Sequence, residues 1–520
     1  MRRLAFLVMA AVAAGCSGSS STGPHTPVPN IQFLTGNHQT DTIFSTLPLI
    51  LKVKVNNPPH YQFAALQPIV FEALSAPGNN VFQAGVRPVG SPSGFAPVAQ
   101  DTTNGFAEAS VQVVLGFTTG IAHIVVSVPA FGYVDTATFT VTPGRPYAMA
   151  TSPSDTLVYI GTALTMRSTV ADQVNDVLNE PVSYSIAAGS ATVSGAVVTP
   201  TALGTVSVVA SSGALSDTTS ITAVPHGTFA AVSARGAQLF HLDGSGASTV
   251  SPAVSPSAAS DLKWSPSGTL LVFDQTFVDL AQCILNIGGI YTTDLTGAVK
   301  TIDSGTSAGY CDEFASYSRD GAWIYFSSES GGVVSTLWRA RADGSATEAV
   351  PVTPLATYSQ FATYPSASPD GSQLAFSALV ITNSHPDGVY DLRVVTIATS
   401  ATISLGVSGF SATWSPTANQ IAYIANGGLT GPIALINADG TLNRTLATGP
   451  YDFGMDWSPD GRYLVARNDS SGYLDLIDVT TGARVSLPYS GSLRWPTWLP
   501  TVPTGADSSQ VQRPRVRRVR

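Results

Sequence analysis

One pentapeptide of the chain has the form in which a serine can act as a nucleophile. Gly305-Thr306-Ser307-Ala308-Gly309 matches the pattern Gly-x-Ser-x-Gly, and a nucleophilic serine in this pattern needs a strand before it and a helix after it. The residues that follow, 310–313, show no helical pattern and lead into a turn. We therefore interpret the pentapeptide as a loop rich in glycine and serine.

The histidine and acidic residues do not have the spacings that hold metal ions. None of the seven histidines forms a His-x-x-x-His pair or another close ligand spacing. Asp-Gly turns such as Asp243-Gly244 lack the spaced acids and the late glutamate of a calcium loop. The sequence therefore predicts no metal, no cofactor and no enzymatic activity.

The N-terminus has the layout of an export signal. Arg2 and Arg3 precede an apolar run, residues 4–14, that is too short to span a bilayer as a helix. The run ends in Ala-Ala-Gly-Cys16, which resembles the processing site of bacterial lipoproteins. The resemblance implies a signal peptide over residues 1–15, a lipid on Cys16 and a location in the cell envelope, at the outer membrane, at the cell surface or on the periplasmic side. An ordinary secretory cleavage site is the alternative.

Export also bears on the other two cysteines. An oxidising compartment favours a disulfide between Cys283 and Cys311, and two free buried thiols are the alternative. Residues 16–30 are rich in Gly, Ser and Pro and are expected to form a flexible linker. Residues 501–520 are expected to form a disordered basic tail.

Composition narrows the fold and the class of partner. Only 11% of the residues are charged and the net charge is −9. Extended helix signals are scarce and turn residues abundant, so the chain is predicted to be all-β. A nucleic-acid-binding domain usually carries a basic patch or stripe, and the region before the tail has none. We therefore expect no nucleic-acid partner.

A short turn motif recurs along the C-terminal half. Its clearest copy is Trp-Ser-Pro-Asp-Gly at residues 457–461, followed by a strand-like apolar run. Proline presets φ, aspartate bonds to nearby backbone and glycine accepts a positive φ, so the motif predicts a tight turn. Copies follow one another at 41–53 residues, the spacing of an array of β-blades. The position before the serine, which we interpret as structural, is occupied by Trp264, Tyr317, Ala367, Trp414 and Trp457 and, in the last copy, where leucine replaces the serine, by Trp498.

A second element recurs between these turns, a strand that ends at or near an aspartate, as in residues 474–478. One copy, residues 238–244, precedes the first turn motif, and the last motif, at Trp498, is cut short. The first and last segments should therefore pair and close a ring. These repeats resemble the WD40-like repeats of TolB-type propellers, and the resemblance implies a six-bladed β-propeller over residues 227–500.

The region before the repeats has the pattern of two β-sandwich modules. Residues 121–128 form a β-branched run, residues 85–104 are interpreted as a long loop, and residues 204–210 read GTVSVVA. These features, with the closing run TATFTVTPG at residues 136–144, resemble bacterial Ig-like domains of the invasin type. The resemblance implies Ig-like modules over residues 31–145 and 146–224.

Together these features predict a non-enzymatic lipoprotein of the cell envelope. The Ig-like modules would act as a stalk for the TolB-like propeller, which would bind an envelope protein through its central funnel or its rim. The alternatives are an adhesin that binds a surface glycan and, third, a propeller enzyme that acts on a polysaccharide. Five aromatic residues are candidates for a sugar platform, although blade packing accounts for most of them: Tyr291, Trp323, Trp338, Tyr473 and Trp495.

Overall fold

The computed structural model describes residues 28–59, 63–75, 83–251, 259–275, 289–304, 310–330, 334–353, 361–382, 385–426, 429–489 and 493–500. All repetitive structure in these ranges is β-strand, so the predicted all-β class is confirmed. Within the same ranges, no helix has the length and apolar character needed to cross a membrane. By its internal contacts the chain divides into two units, residues 1–150 with 169–181, and residues 151–168 with 182–520. The predicted domain boundaries stay predictions.

The first unit is built on two sheets. Their strands are β1 (Ile31–Thr35), β2 (Thr40–Thr42), β3 (Leu51–Val55), β4 (Pro68–Ala73), β5 (Ala84–Pro88), β6 (Val98–Thr102), β7 (Glu108–Leu115), β8 (Gly120–Val128) and β9 (Tyr133–Thr142). One sheet has the order β1-β3-β7-β5 and the other β2-β9-β8-β4-β6. Along β7 and β8 every second side chain is buried, as expected where one face of a sheet covers a core. Both sheets contribute to one hydrophobic core.

The predicted loop over residues 85–104 is wrong, because β5 and β6 lie within it. Val86 and Ala99 are buried in the core of the first unit. β5 pairs with β7, and β6 pairs with β4. These neighbours satisfy the backbone hydrogen bonds of both segments, and the tertiary pairing overrides their low strand propensity. The glycines and prolines that suggested a loop lie mostly between the two strands, at residues 90–97.

Ten strands follow before the repeats begin. They are β10 (Ala148–Ser152), β11 (Thr156–Tyr159), β12 (Leu164–Thr165), β13 (Arg167–Ala171), β14 (Val177–Leu178), β15 (Ser183–Ala188), β16 (Ala191–Ser194), β17 (Val197–Pro200), β18 (Gly204–Ser212) and β19 (Leu215–Val224). The largest of their sheets has the order β11-β19-β18-β15. Val206, Val208 and Ile221 of this sheet pack with Met166 and Val198 in a core of their own.

The repeat region contains the remaining strands. The first thirteen are β20 (Thr228–Ser233), β21 (Gly236–His241), β22 (Ala247–Ser251), β23 (Ala259–Trp264), β24 (Leu270–Gln275), β25 (Gly289–Asp294), β26 (Val299–Asp303), β27 (Tyr310–Tyr317), β28 (Trp323–Ser330), β29 (Val334–Arg341), β30 (Thr347–Ala349), β31 (Phe361–Ala367) and β32 (Gln373–Thr382). The last nine are β33 (His385–Thr396), β34 (Thr402–Trp414), β35 (Gln420–Ala425), β36 (Gly431–Asn437), β37 (Arg444–Trp457), β38 (Tyr463–Asn468), β39 (Leu474–Asp478), β40 (Arg484–Ser486) and β41 (Arg494–Trp498).

These strands form consecutive antiparallel groups. β20–β22 join β41 in one sheet, and β23–β26 form a second. The strands from β27 to β40 follow one another in a continuous path, except β30, which lies off the path and pairs with β29. Two long strands divide that path, because the first part of β34 pairs with β33 and its last part with β35. In the same way, β37 pairs first with β36 and then with β38.

Each group has one inner strand, and the inner strands close into a ring. In the described part of the chain these strands are β23, β27, β31, the end of β34, the end of β37 and β41. Each contacts the next, and β41 contacts β23. The last strand also pairs with the first strand of the region, with Phe229 opposite Trp498. The predicted pairing of the first and last segments is therefore confirmed.

The serine of the turn motif holds its turn together. In the copy at residues 457–461, Ser458 Oγ donates to Asp460 Oδ1 at 2.5 Å and accepts the backbone N–H of Tyr463 at 2.8 Å. The glycine N–H donates to the carbonyl of Ser458, also at 2.8 Å. The same two serine contacts recur at Ser318 and Ser368. The serine and aspartate thus satisfy backbone and side-chain groups within the turn.

Every inner strand carries a bulge three residues before its turn-motif aromatic position. Pairing shifts register there in each of the six strands. The residue at the bulge has a positive φ although its type differs from strand to strand, namely Asp261, Phe314, Tyr364, Ser411, Gly454 and Trp495. Such a conformation costs a non-glycine residue roughly 1–2 kcal/mol. Bulges redirect side chains, and four of these six residues line the cavity described below, namely Asp261, Tyr364, Ser411 and Gly454.

The strands before the ring pack directly against it within the second unit. Leu203 and Val224 share a buried cluster with Phe229, Tyr463 and Trp498. The ring of Tyr159 stacks on His226, with centroids 4.2 Å apart. The joint between these strands and the ring is therefore held by apolar and aromatic packing.

Candidate functional site

The inner strands surround a cavity of about 290 Å³, called the funnel below. It is lined by residues of all six turn motifs. The six positions that the sequence repeat marked as structural all contribute: Trp264, Tyr317, Ala367, Trp414, Trp457 and Trp498. The structure thus brings together residues spread over 235 positions of sequence.

A layer of polar side chains lies next to the aromatic positions. It consists of the residue that precedes each of them, namely Lys263, Ser316, Ser366, Thr413, Asp456 and Thr497. Several of these side chains join neighbouring inner strands. Ser316 Oγ donates to the carbonyl of Pro365 at 2.6 Å, and Ser366 Oγ accepts the N–H of Trp414 at 2.9 Å. Trp457 Nε1 donates to the carbonyl of Thr413 at 3.0 Å.

The charged residues of this layer form one ion pair. Lys263 Nζ lies 3.3 Å from Asp456 Oδ1 and donates to the carbonyl of Met455 at 2.8 Å. The other carboxylate oxygen, Asp456 Oδ2, accepts from Thr497 Oγ1 at 2.8 Å and from the N–H of Trp498 at 3.0 Å. Both charges therefore have hydrogen-bond partners, which partial burial requires.

Asp261 lies two residues before Lys263 and also lines the funnel. Only 6% of its surface is exposed. Burial raises the pKa of this carboxyl to about 6, while Lys263 lowers it and Asp456 raises it. Its carboxylate makes no hydrogen bond to any residue in the described ranges. Asp261 is therefore a buried acid that lines the funnel and receives no hydrogen bond from the described residues.

The mouth of the funnel is rimmed by the prolines of the turn motifs. Pro266, Pro416, Pro459 and Pro500 all line it. In the second copy of the motif, Arg319 stands where the other five copies have proline. Its side chain lines the funnel while remaining accessible to solvent. One guanidinium nitrogen, Nη2, donates to the carbonyl of Trp414 at 3.4 Å. Desolvation by the surrounding protein lowers the pKa of Arg319.

Aromatic side chains pack below the polar layer. Tyr364 is buried and stacks on Phe314 with ring centroids 3.8 Å apart, and Phe410 meets Tyr364 edge-on at 4.6 Å. Gly454 makes room for Trp495, because a Cβ there would lie 2.8 Å from Cε3 of the Trp495 ring. These rings fill the space between the inner strands at the level of the bulges.

Acidic residues lie at the start of β27, further from the turns. Burial, with a smaller contribution from Asp303, raises the pKa of Asp312 to about 7. Burial, Glu329 and Asp312 together raise the pKa of Glu313 to about 7. Despite these carboxylates, the described residues contain no group of three histidine, cysteine, aspartate or glutamate side chains placed to hold a metal ion.

Three of the five candidates for a sugar platform are buried or packed against other side chains. Trp495 is buried. The guanidinium carbons of Arg339 and Arg341 lie 4.2 and 3.9 Å from the centroid of the Trp323 ring. Tyr291 stacks on Phe273. Packing within the sheets thus occupies several of these rings, in agreement with the sequence interpretation.

Several predicted features fall outside the described residues. These are Cys16, Cys283, the pentapeptide at residues 305–309, the signal peptide at residues 1–15 and the tail at residues 501–520. Cys311 is buried and disulfide-bonded, but its pairing with Cys283 stays a prediction.

The charged residues of the funnel were not identified from the sequence. A signal for them existed in the repeat. When the copies are aligned on the turn motif, Lys263 and Asp456 occupy a position that is otherwise serine or threonine, and Arg319 replaces a proline. Asp261 had no such signal, because the residue at the bulge differs in every copy.

No protein-family model and no curated protein matches this chain. Among solved structures, it is similar to TolB from Acinetobacter baumannii, with 16% identity, coverage of 69% of this chain and 90% of TolB, and a TM-score of 0.43. A putative TolB from Agrobacterium tumefaciens shows 16% identity, coverage of 52% and 91%, and a TM-score of 0.37. An oligogalacturonate lyase in complex with manganese shows 16% identity, coverage of 51% and 73%, and a TM-score of 0.33. At these identities and TM-scores, the likenesses assign neither a family nor a function.

Proposed function

We propose that this chain is a non-enzymatic, lipid-anchored protein of the cell envelope that binds a protein partner through the funnel. In this proposal, the ring of inner strands belongs to a six-bladed TolB-like propeller, and the preceding strands form two Ig-like modules that act as a stalk. The observation that carries the proposal is the convergence of aromatic, proline and charged side chains from all six turn motifs on one open cavity.

The composition of the funnel suits protein recognition. Tryptophan, tyrosine and arginine are the residues most enriched where binding energy concentrates in protein interfaces. Here Trp264, Trp414, Trp457 and Arg319 stand around one cavity. The hydrogen bonds between neighbouring inner strands hold these walls in place. A preorganised site loses less entropy on binding.

The joint between the preceding strands and the ring supports the role of a stalk. Pro225, His226 and Gly227 line a cavity of about 210 Å³ that shares Pro459 and Trp498 with the funnel. The joint therefore lies beside the mouth of the funnel. A stalk fixed there by the Tyr159–His226 stack would hold the funnel in a constant orientation relative to the second module.

Crosslinking in cells tests this proposal. A photoreactive amino acid is placed at Ser267, next to Pro266 at the funnel mouth, or at Ile403, an exposed position on the outer part of β34. We expect one dominant envelope protein to be linked from position 267 and not from position 403. Links that disappear after polysaccharide digestion would instead support the glycan-binding alternative, and equal links from both positions would refute binding at the funnel.

A further inference from the structure

Asp261 is the strongest sign of a specific ligand in the funnel. Its carboxyl is more than nine-tenths buried, lines the cavity and makes no hydrogen bond to any residue that the structure describes. The nearby cation, Lys263, is already bonded to Met455 and Asp456. Leaving a buried charged group without a hydrogen-bond partner is unfavourable by a few kcal/mol. A ligand that donates to Asp261 would remove this penalty.

The charge balance of the inner funnel selects the kind of donor. Three of the charged residues that line the cavity are buried or partly buried, namely Asp261, Lys263 and Asp456. Two acids and one base leave this part net negative when all three are ionised. A cationic donor is therefore favoured over a neutral one. The fourth charged residue, Arg319, stands at the mouth and has donors that no described residue uses. Its guanidinium suits a carboxylate.

We propose that the funnel binds a primary ammonium group on the Asp261 carboxylate, carried by a ligand whose own carboxylate contacts Arg319. This inference rests on the proposed function, in which the ligand would be a C-terminal lysine of the protein partner, whose side chain carries the ammonium group and whose main chain ends in the carboxylate. A cavity of about 290 Å³ has the volume of roughly ten water molecules. It is large enough to admit one extended side chain.

Binding of small probes to the full chain tests the assignment. Four tryptophans line the funnel, so intrinsic fluorescence reports on its occupancy. The probes are Nα-acetyl-L-lysine, which has both groups, n-butylamine, which has only the ammonium group, and Nα-acetyl-L-norleucine, which has only the carboxylate. We expect Nα-acetyl-L-lysine to bind about tenfold more tightly than n-butylamine, the effect of about 1.4 kcal/mol. Nα-acetyl-L-norleucine should not bind.

Two variants separate the two contacts. Asp261→Asn removes the charge and tolerates the positive φ of this position, so the ring should keep its fold. It should weaken binding of both amine probes at least tenfold. Arg319→Gln should reduce the affinity for Nα-acetyl-L-lysine to that for n-butylamine and leave n-butylamine unchanged. The control is Asp155→Asn, at an exposed position outside the ring that also has a positive φ. This variant should change neither affinity.

The pH dependence gives a second readout. Burial raises the pKa of Asp261 to about 6, and the charged or titratable groups around it are Lys263, Asp456 and Tyr364. Binding of n-butylamine should weaken as the pH falls through about 6, because the carboxyl then gains a proton. In Asp261→Asn this pH dependence should be absent.

The assignment is overturned if Asp261→Asn binds the amines as the unmodified chain does, or if Nα-acetyl-L-norleucine binds as well as Nα-acetyl-L-lysine. Crosslinking from position 267 distinguishes this failure from that of the proposed function. Crosslinks that persist in Asp261→Asn support the proposal of protein binding and refute the ammonium assignment. If amine binding depends on Asp261 but no protein is crosslinked from position 267, the ammonium assignment is supported with a free amine as the ligand. The same result refutes protein binding.

Discussion

Lys263 and Asp456 form an ion pair across 193 positions of sequence, with 3.3 Å between Nζ and Oδ1. The pair joins β23 to β37 and lies in the polar layer of the funnel. Asp456 also accepts from Thr497 and Trp498 of β41. This one pair therefore links the inner strand of the second sheet to two inner strands from the end of the chain, at the place where the ring closes.

Lys263→Met should lower the free energy of unfolding by about 2–3 kcal/mol, since it leaves the Asp456 carboxylate without its cation in a partly buried place. Urea unfolding measures the change. The control is Glu348→Gln, which breaks the more exposed pair with Arg339 and should lower it by less than about 1 kcal/mol. Equal effects would show that the Lys263–Asp456 pair does not stabilise ring closure.

Glu313→Gln should stabilise the protein at neutral and alkaline pH but not at acidic pH. Burial, Glu329 and Asp312 raise the pKa of Glu313 to about 7, above its value in the unfolded chain. The folded state therefore binds more protons between pH 4.5 and 7, and the stability from this group is lost as the pH rises through 7. The variant should gain on the order of 2 kcal/mol at pH 8 and change little at pH 4.

The measurement is urea unfolding at the two pH values. Glu72→Gln serves as the control, because Glu72 lies on the exposed face of β4 in the first unit. A stabilisation by Glu313→Gln that is the same at both pH values would contradict the burial argument.

Gly454→Ala should destabilise the ring by more than a change at an open glycine. The new Cβ would lie 2.8 Å from Cε3 and 3.0 Å from Cα of Trp495, and the position has φ +90°. Overpacking adds about 1–3 kcal/mol to the conformational penalty. The matched control is Gly472→Ala, where φ is +73° and a Cβ meets nothing within 4 Å. Thermal unfolding compares them, and an equal loss would mean that Trp495 adapts.

Trp457→Phe should be more destabilising than Trp414→Phe, although both residues occupy the same position of the turn motif. Trp457 Nε1 donates to the carbonyl of Thr413 at 3.0 Å. Trp414 Nε1 is buried and has no partner among the described residues. The first change removes a hydrogen bond, whereas the second removes an unsatisfied donor, so the difference should be about 1–2 kcal/mol. Equilibrium unfolding of both variants checks the order.

The repeat was readable from the sequence because its turns depend on local chemistry. Serine, proline, aspartate and glycine each act within a few residues of one another, so their order predicts the turn wherever they occur. The spacing of the copies and the two incomplete ends then predicted that β20 and β41 would pair, as they do. The strands β5 and β6 were not predicted, because their local composition has low strand propensity. Their partners, β7 and β4, lie elsewhere in the sequence and provide the hydrogen bonds that stabilise them as strands.

Residue order alone thus establishes an all-β chain with a repeated turn and a ring whose ends meet, since period and turn chemistry are local properties. The folded ring determines two further features, the backbone conformation at the bulges and the proximity of the charged residues, that no local sequence pattern contains. It places a positive φ at Asp261, Tyr364 and four other residues of unrelated type, because the bulge is imposed by pairing with the next strand. It also brings Asp261, Lys263, Asp456 and Arg319 to one cavity, because their proximity depends on strands far apart in sequence meeting around a common centre.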